Sequence, residues 1–281
     1  MTLCKRGIKV KSPPNLLRKT DEKAGKLEND LTVALHNKEF LLYYQPQVSL
    51  SNKKIIGAEA LIRWNSGKRG FVYPDQFIPF AEQHEIIIKI GYEVIRMAFN
   101  DIKRLGKLFG NQFKISINLS SNELCHEEII EFIKKLIIEN DINPNRIIIE
   151  ITERSLIKFF DETLKVLIEL KKLGIQIALD DFGKGYSSLN YLCSMPIDLV
   201  KIDRAFIDDI ENNNTKLTVV EGIITTTHKL HKRVLAEGIE NSMQYEILKH
   251  MGCDDGQGFY FYKPMDFDKL KKLNLSDGYH P

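Results

Sequence analysis

The chain has 281 residues, of which 43% are hydrophobic and 28% charged, and its formal net charge is +2, as in an ordinary soluble globular protein. A near-neutral chain shows no overall attraction to nucleic acid, and no apolar run approaches the roughly 18 residues that cross a membrane, so we expect neither a DNA or RNA partner nor a membrane span. The four cysteines have neither paired nor metal-site spacing, which predicts reduced thiols in a cytoplasmic protein.

The N-terminal segment differs in character from the rest of the chain. Residues 1–19 carry six lysines and arginines around Pro13-Pro14 without a periodic apolar face, which predicts a flexible basic arm or the remnant of a linker. Thr20 is a suitable N-cap for a first helix, whose apolar stripe is Leu27, Leu31, Ala34 and Leu35. We therefore predict one folded domain over residues 20–281, beginning with this helix.

Strands and helices alternate from Phe40 onwards. Only a short turn around Ser51-Asn52 joins the first two strands, so they should be antiparallel, because a parallel pair needs a long crossover. The predicted strands are Phe40–Val48, Lys54–Leu61, Phe113–Leu119, Arg146–Thr152, Ile175–Asp180, Leu199–Ile202, Val234–Ala236 and Gly258–Phe261. The longer predicted helices are Ile88–Leu108, Asn122–Asn140, Glu162–Leu173, Thr215–His231 and Ser242–His250.

This alternation predicts an α/β fold, a modified (β/α)8 TIM-type barrel with an antiparallel first strand. An open doubly wound sheet is the alternative. No Gly-x-Gly-x-x-Gly follows an early strand, which counts against a dinucleotide-binding sheet of that kind.

Polar groups stand at or beside the C-terminal end of each strand from the second onward. They are Glu59, Asn118, Glu150, Asp180 with Asp181, Lys201, Glu237 and Gln257. A single acid at a strand end is usually a solvated group or a helix cap, and the Asp180-Asp181 pair alone does not differ from that. In a barrel, however, all of these strand ends meet at one mouth. The series therefore predicts one functional site.

Carboxylates gathered at one mouth repel one another unless cations are present. Without a His or Cys cluster, a set of carboxylate and amide oxygens suits Mg²⁺ or Mn²⁺ rather than zinc. Asp180 could bridge two ions, an arrangement that activates a water for in-line attack at phosphorus. Glu59, Asn118 and Glu150 would surround one ion, and Asp181 and Glu237 the other. Lys201 would hold that water or help deprotonate it, or would instead neutralise surplus carboxylate.

The order of the motifs resembles the EAL-domain family of cyclic di-GMP phosphodiesterases. The resemblance covers roughly residues 28–265. The motifs that carry it are Tyr44-Gln45-Pro46, Glu59-Ala60-Leu61 with Arg63-Trp64, Phe77-Ile78-Pro79, Asn118-Leu119-Ser120, Glu150-Ile151-Thr152-Glu153, Asp180-Asp181-Phe182-Gly183, Lys201-Ile202-Asp203, Ala236-Glu237-Gly238-Ile239-Glu240 and Gln257-Gly258.

The resemblance implies hydrolysis of cyclic di-GMP to linear 5′-pGpG with two Mg²⁺ or Mn²⁺ ions per active site. It implies metal ligation by Glu59, Asn118, Glu150, Asp180, Asp181 and Glu237, and catalytic roles for Lys201, Glu59 and Gln257. It implies substrate contacts by Gln45, Leu61 and Arg63. Glu153 resembles the residue that anchors the loop after Asp181. Asp203 and Glu240 also match the family motifs, and their role is either to support the site residues or to stabilise the fold.

One departure and one alternative accompany the resemblance. Lys184 stands where the family usually has Thr or another small residue, in a loop that the resemblance links to dimerisation, so a homodimer is expected. The alternative is a catalytically silent module that senses cyclic di-GMP or binds a protein; such members usually lack a metal ligand, and this chain keeps them all. Sensor or GGDEF modules are expected partners if the chain is part of a longer protein.

Overall fold

The computed structural model describes residues 14–153, 160–183 and 192–273, with side chains from Gly25 onward. The strands are β1 (Phe40–Ser49), β2 (Ile55–Ser66), β3 (Gly70–Val72), β4 (Lys114–Asn118), β5 (Ile147–Thr152), β6 (Gln176–Phe182), β7 (Leu199–Ile202), β8 (Arg233–Ala236) and β9 (Asp255–Gly256). The described α-helices are α1 (Pro14–His36), α2 (Ile78–Ala81), α3 (Ile86–Phe109), α4 (Ser121–Leu124), α5 (Ile129–Asn140), α6 (Phe160–Lys172), α7 (Arg204–Ile207), α8 (Asn214–Lys229), α9 (Ser242–His250) and α10 (Phe267–Leu273).

Eight of the strands close into a barrel because β1 pairs with both β9 and β2. The strands follow the order β1-β9-β8-β7-β6-β5-β4-β2, and β3 extends the sheet beyond β2 as a hairpin. Every pair from β2–β4 round to β8–β9 is parallel, whereas β1 is antiparallel to both of its neighbours. The predicted modified barrel with an antiparallel first strand is confirmed. None of the helices in the described ranges is long and apolar enough to cross a bilayer.

Helix α1 lies mainly against α3, and two residues of its predicted stripe, Leu31 and Ala34, are fully buried. Asp30 accepts a hydrogen bond from Lys68 Nζ at 2.9 Å in the turn between β2 and β3. The helix begins at Pro14, so Thr20 lies inside it and the predicted N-cap at Thr20 is wrong. Residues 1–13 of the predicted basic arm lie outside the described residues.

Three other element boundaries differ from the prediction. The last strand is β9, and residues 258–261 form a turn in which Phe261 N and Tyr262 N donate to Gly258 O. The aromatic run looked like a strand, but two of its backbone N–H groups donate within the turn and Tyr260 N donates to Ile239 O, so no strand pairing forms there. The predicted helix Asn122–Asn140 is two helices, because Ser120 and Glu123 form a capping box that makes α4 a separate turn. Strand β2 runs on to Ser66 and pairs with β3, which was not predicted.

A layer of apolar side chains fills the barrel immediately below the mouth. Ile148, Ala178, Leu199 and Leu235 form one buried cluster, and each comes from a different parallel strand. Each also lies two residues before a predicted site residue. Three of these site residues are on the same strand, and the fourth directly follows its strand: Glu150, Asp180, Lys201 and Glu237. Because side chains alternate along a strand, residues two positions apart point to the same side. The apolar layer therefore fixes which side chains rise above it at the C-terminal mouth.

Candidate active site

Lys201 is the centre of the polar cluster at the barrel mouth. Its side chain is completely buried on β7, and Leu199 below it belongs to the apolar layer. The ammonium Nζ is surrounded by four carboxylates, which come from β2, β5, β6 and the residue directly after β8. The distances from Nζ are 2.6 Å to Glu150 Oε2, 2.8 Å to Glu237 Oε1, 3.3 Å to Asp180 Oδ2 and 3.5 Å to Glu59 Oε2. The cluster thus holds four acids around one cation.

Amide side chains surround the carboxylate of Glu59. Asn118 Nδ2 donates to Glu59 Oε1 at 2.6 Å, and Gln257 Nε2 donates to Glu59 Oε2 at 2.7 Å. Gln257 Nε2 also lies 3.0 Å from Gln45 Oε1, and Gln47 Nε2 donates to Gln257 Oε1 at 3.1 Å. In the β1–β2 ladder Gln45 pairs directly with Glu59, so both side chains point to the same face. The antiparallel first strand therefore brings Gln45 into the same network.

The excess of negative charge appears in the pKa values of the acids. Burial and the neighbouring Glu59 and Asp180 hold the pKa of Glu150 well above its ordinary value, although Lys201 opposes them. Burial raises the pKa of Glu237 to about 8 against the charge of Lys201. Burial also raises the pKa of Asp180. Uncompensated repulsion of this kind is relieved when further positive charge enters the site.

Glu59 and Lys201 differ from the other groups of the cluster. Burial opposes ionisation of Glu59, but Lys201 and the amide donors Gln257 and Asn118 outweigh it and lower its pKa. Burial likewise opposes the charge on Lys201, yet the carboxylates, with Asp180 the strongest, hold its pKa well above the ordinary value. With these neighbours Lys201 is an ammonium group that donates hydrogen bonds.

The Asp180-Asp181 pair lies at a break in the β-ladder. The pairing between β6 and β7 is irregular between Leu179 and Phe182, and Asp181 has a positive φ of 55°. Asp181 N donates to Asp180 Oδ1 at 2.8 Å. A non-glycine residue in the left-handed region is uncommon, and Asp is among the residues that tolerate it. The turn interrupts the strict alternation of the strand, so the two carboxylates need not point in opposite directions.

The residues present fit a divalent cation of the hard class. Glu150 Oε1 is buried and makes no hydrogen bond within the described residues, although Oε2 of the same carboxylate lies against Lys201. An orphaned buried oxygen requires an explanation, and a cation supplies one. No three His, Cys, Asp or Glu side chains in the described ranges already enclose one cation position, because the acids converge on Lys201 instead. The oxygen-only donor set matches Mg²⁺ or Mn²⁺.

Two cavities share this cluster as part of their walls. One, of about 340 Å³, is lined by Leu61, Asn118 and Glu150 among mainly apolar residues. The other, of about 210 Å³, is lined by Gln45, Glu59, Glu237, Glu240 and Gln257. Arg63 is 7% exposed on β2, four residues after Glu59, and burial lowers its pKa although nearby tyrosines and acids oppose the shift. Gln45 and Leu61 therefore line cavities at the mouth, and Arg63 lies further along the same face of β2 as Glu59 and Leu61.

The remaining predicted residues lie around this centre. Asp203 is buried and caps α7 by accepting a hydrogen bond from Ala205 N at 2.9 Å. Glu240 is exposed, and Arg204 Nη2 lies 2.8 Å from its Oε1. Glu153 is 2% exposed just after β5. Lys184 and the residues after it as far as Tyr191 lie outside the described residues, so the anchoring role of Glu153 and the dimerisation role of this loop stay predictions.

Sequence reasoning missed three residues that the structure brings to this site. Gln47 contacts Gln257, and the rings of Tyr43 and Tyr73 flank Arg63. Tyr43 and Gln47 stand two residues on either side of Gln45, so strand alternation was a signal for both. The sequence pattern could not predict the contact of Tyr73 with Arg63, because that contact depends on the register of the β2–β3 hairpin.

Comparison with known proteins agrees with this geometry. A family model described as "EAL domain" matches residues 28–264. The chain is 34% identical over 244 residues to the bifunctional diguanylate cyclase/cyclic di-GMP phosphodiesterase MucR of Pseudomonas aeruginosa, covering 87% of this chain and 36% of MucR. It is 38% identical over 234 residues to the probable cyclic di-GMP phosphodiesterase PdeB of Escherichia coli K12, covering 83% of this chain and 44% of PdeB.

A solved structure of the MucR phosphodiesterase in complex with cyclic di-GMP superposes on the chain with a TM-score of 0.82 and 33% identity. The match covers 87% of this chain and 99% of that one. The chain spans less than half the length of the two curated relatives, and what it shares with them is this domain. The family match covers most of the chain, and the chain belongs to the EAL domain family.

Proposed function

We propose that this chain hydrolyses cyclic di-GMP to linear 5′-pGpG with Mg²⁺ or Mn²⁺, two ions per site. The observation that carries the proposal is the convergence of four carboxylates from four strands of the barrel on Lys201, with Glu150 Oε1 buried and unpaired within the described residues. The relatives MucR and PdeB, whose names include cyclic di-GMP phosphodiesterase, support the choice of substrate.

The residues that would hold the ions are the oxygen donors at the mouth: Glu59, Asn118, Glu150, Asp180, Asp181 and Glu237. Asp180 stands between the two groups of ligands, since it is close to Lys201 on one side and adjacent to Asp181 on the other. The bound ions would supply Lewis-acid activation of a water and charge neutralisation at phosphorus.

Lys201 and Gln257 act on the attacking side of the reaction. The ammonium of Lys201 would orient the nucleophilic water by donating a hydrogen bond, because its pKa is held well above the ordinary value by the carboxylates. It would accept a proton only once the carboxylate charge is compensated. Gln257 holds Glu59 in place through its 2.7 Å hydrogen bond, and Gln47 and Gln45 hold Gln257.

Three residues would bind the dinucleotide. Arg63 offers a planar guanidinium, which can hold a phosphodiester through paired hydrogen bonds. Gln45 and Leu61 line the two cavities that flank the cluster, and the mainly apolar surface of the larger one suits a nucleobase. A substrate with two guanines joined by two phosphodiesters would place one base in each cavity.

The test is incubation of the purified chain with cyclic di-GMP and Mg²⁺ or Mn²⁺, with separation of the linear product by chromatography. We expect 5′-pGpG to accumulate, and Glu59→Gln to abolish turnover because it removes one carboxylate ligand while leaving an amide of the same shape. Absence of product at saturating cation would overturn the proposal. Nucleotide affinity without turnover would instead identify a silent sensing module.

A further inference from the structure

Arg63 is a buried cation on β2. Its residue is 7% exposed, and no carboxylate in the described ranges lies within ion-pair distance of it. Its hydrogen bond there runs from Nη1 to the carbonyl of Ile62 at 2.8 Å. A guanidinium has five N–H donors, so most of its donor capacity is left for a ligand.

Two aromatic rings hold this guanidinium from opposite strands. Arg63 Cζ lies 5.5 Å from the ring centroid of Tyr43 and 5.6 Å from that of Tyr73, within the range of a cation–π contact. Phe71 connects the two tyrosines, with centroid distances of 5.5 Å to Tyr43 and 5.4 Å to Tyr73. Tyr43 and Tyr73, which we name the aromatic clamp, therefore flank Arg63, and Phe71 links their two rings.

Strand register explains why the clamp closes on Arg63. In the β2–β3 hairpin Trp64 pairs with Val72, and the same register continued by one residue places Tyr73 opposite Arg63. In the β1–β2 ladder Tyr43 pairs with Leu61, so Tyr43 is the diagonal neighbour of Arg63 on the same face. The arginine therefore stands between side chains from both adjacent strands.

The backbone of Tyr73 and the hydroxyl groups of both tyrosines indicate that the faces of the rings, rather than their hydroxyl groups, contact the guanidinium. Tyr73 precedes Pro74 and adopts an extended conformation, with φ −84° and ψ 154°, to which a residue before proline is restricted. Neither the Tyr43 nor the Tyr73 hydroxyl makes a hydrogen bond within the described residues. Tyr73 nevertheless keeps 52% of its surface exposed. Both side chains thus present aromatic surface to the guanidinium without a hydroxyl partner of their own.

We infer that Tyr43 and Tyr73 are positioning residues, which hold the guanidinium of Arg63 at the barrel mouth so that its free donors meet an anionic phosphodiester. The identity of that ligand rests on the proposed function, whereas the clamp itself rests on the geometry around Arg63. Cation–π contacts restrict the guanidinium to one orientation before the ligand arrives, which reduces the entropy lost when it binds.

The first experiment compares Tyr43→Leu and Tyr73→Leu with the ring-preserving variants Tyr43→Phe and Tyr73→Phe in steady-state hydrolysis of cyclic di-GMP. Each leucine variant should raise KM by about 2- to 30-fold, with kcat within about threefold of wild type, which corresponds to the usual range of a cation–π contact. The phenylalanine variants should recover most of the affinity. Ile138→Ala, at a site 79% exposed on α5, is the matched control for an unrelated surface change.

A double-mutant cycle with Arg63→Ala separates positioning from direct stacking of the tyrosines on a base. If the clamp acts through Arg63, the leucine substitutions should raise KM no further in the Arg63→Ala background. An equal rise with and without Arg63 would overturn the inference, because the rings would then act on the ligand or on the fold alone.

A second readout needs no turnover. In the ligand-free protein, Tyr43→Leu and Tyr73→Leu should accelerate solvent exchange of the Arg63 Nε–H, observed by ¹⁵N NMR, and the phenylalanine variants should not. Unchanged exchange in the leucine variants would overturn the clamp whatever the activity. A wild-type chain without turnover would overturn the proposed function, and the exchange rates would then decide the clamp by themselves.

Discussion

Lys201 Nζ lies 2.6 Å from Glu150 Oε2, while Oε1 of the same buried carboxylate has no hydrogen-bond partner within the described residues. One oxygen of the Glu150 carboxylate thus contacts the ammonium group of Lys201, and the other oxygen contacts no cation within the described residues. Glu59 contrasts with it, because donors satisfy both of its oxygens. Glu59 on β2 and Glu150 on β5 should therefore respond differently to loss of their charge.

The first prediction compares Glu150→Gln with Glu59→Gln in the metal-free protein. Glu59→Gln should lower the free energy of unfolding by about 1–3 kcal/mol, because it removes a charged acceptor from Lys201, Asn118 and Gln257. Glu150→Gln should leave it unchanged or higher, since burial already opposes ionisation there. With Mg²⁺ or Mn²⁺ restored, both variants should lack measurable turnover, because each loses a carboxylate that we assign to a metal ion. Urea unfolding with a chelator present measures the difference, and equal destabilisation by both would contradict it.

The second prediction concerns added cations. Mg²⁺ or Mn²⁺ should raise the melting temperature, because positive charge relieves repulsion among Glu150, Asp180 and Glu237. At 100 times its Kd a cation contributes about 2.7 kcal/mol, on the order of 5 °C. Asp180→Asn should lose most of this shift. Choline chloride at equal ionic strength is the control, and an identical shift with it would show that screening alone is responsible.

The third prediction uses a buried acid outside the cluster. Burial raises the pKa of Glu123 to about 7 although Ser120 donates to it. The folded state then binds more protons than the unfolded state between about pH 4.5 and 7, so this contribution to stability is present below 4.5 and lost as pH rises through 7. The loss is about 3 kcal/mol. Glu123→Gln keeps the capping box but should remove this pH dependence of stability. The free energy of unfolding of both proteins at pH 5 and at pH 8 measures the difference. Parallel profiles of unfolding free energy against pH for the two proteins would refute this prediction.

The fourth prediction tests the support of Gln257. A Cβ at Gly258 would collide with the backbone of Ile239, which cannot move aside as a flexible side chain does. Gly258→Ala should therefore destabilise the fold by about 2 kcal/mol or more and reduce activity by shifting Gln257. Gly222→Ala is the matched control. Nothing lies within 4 Å of its added Cβ in α8, so we expect it to stabilise the chain by up to about 1 kcal/mol. Equal melting temperatures for the two variants would contradict the close contact between Gly258 and the backbone of Ile239.

Much of the mouth could be predicted because two simple regularities determine it. Side chains alternate along strands, and parallel strands of a barrel end on one side, so Glu150, Lys201 and Glu237 had to meet once the strands were recognised. Antiparallel pairing of β1 with β2 was readable from the short turn between them. These relationships depend on local pattern and topology alone.

Other features depend on contacts that no local pattern reveals. The aromatic run after Gln257 suggested a strand, but Gly258 packs against Ile239 and the run turns instead. The positive φ of Asp181 arises at a break in the β6–β7 ladder, which the sequence does not mark. The position of Tyr73 beside Arg63 follows from a three-residue strand too short to be recognised by alternation.

The apolar layer of Ile148, Ala178, Leu199 and Leu235 closes the barrel beneath the polar cluster. Gln47 and Ser116 are also almost fully buried. Under the proposed function, substrate, ions and product would consequently all enter and leave through the same opening. An element that covered this opening would halt all three exchanges together, without altering a single residue of the reaction centre. Control of such a domain therefore requires only control of access to one face.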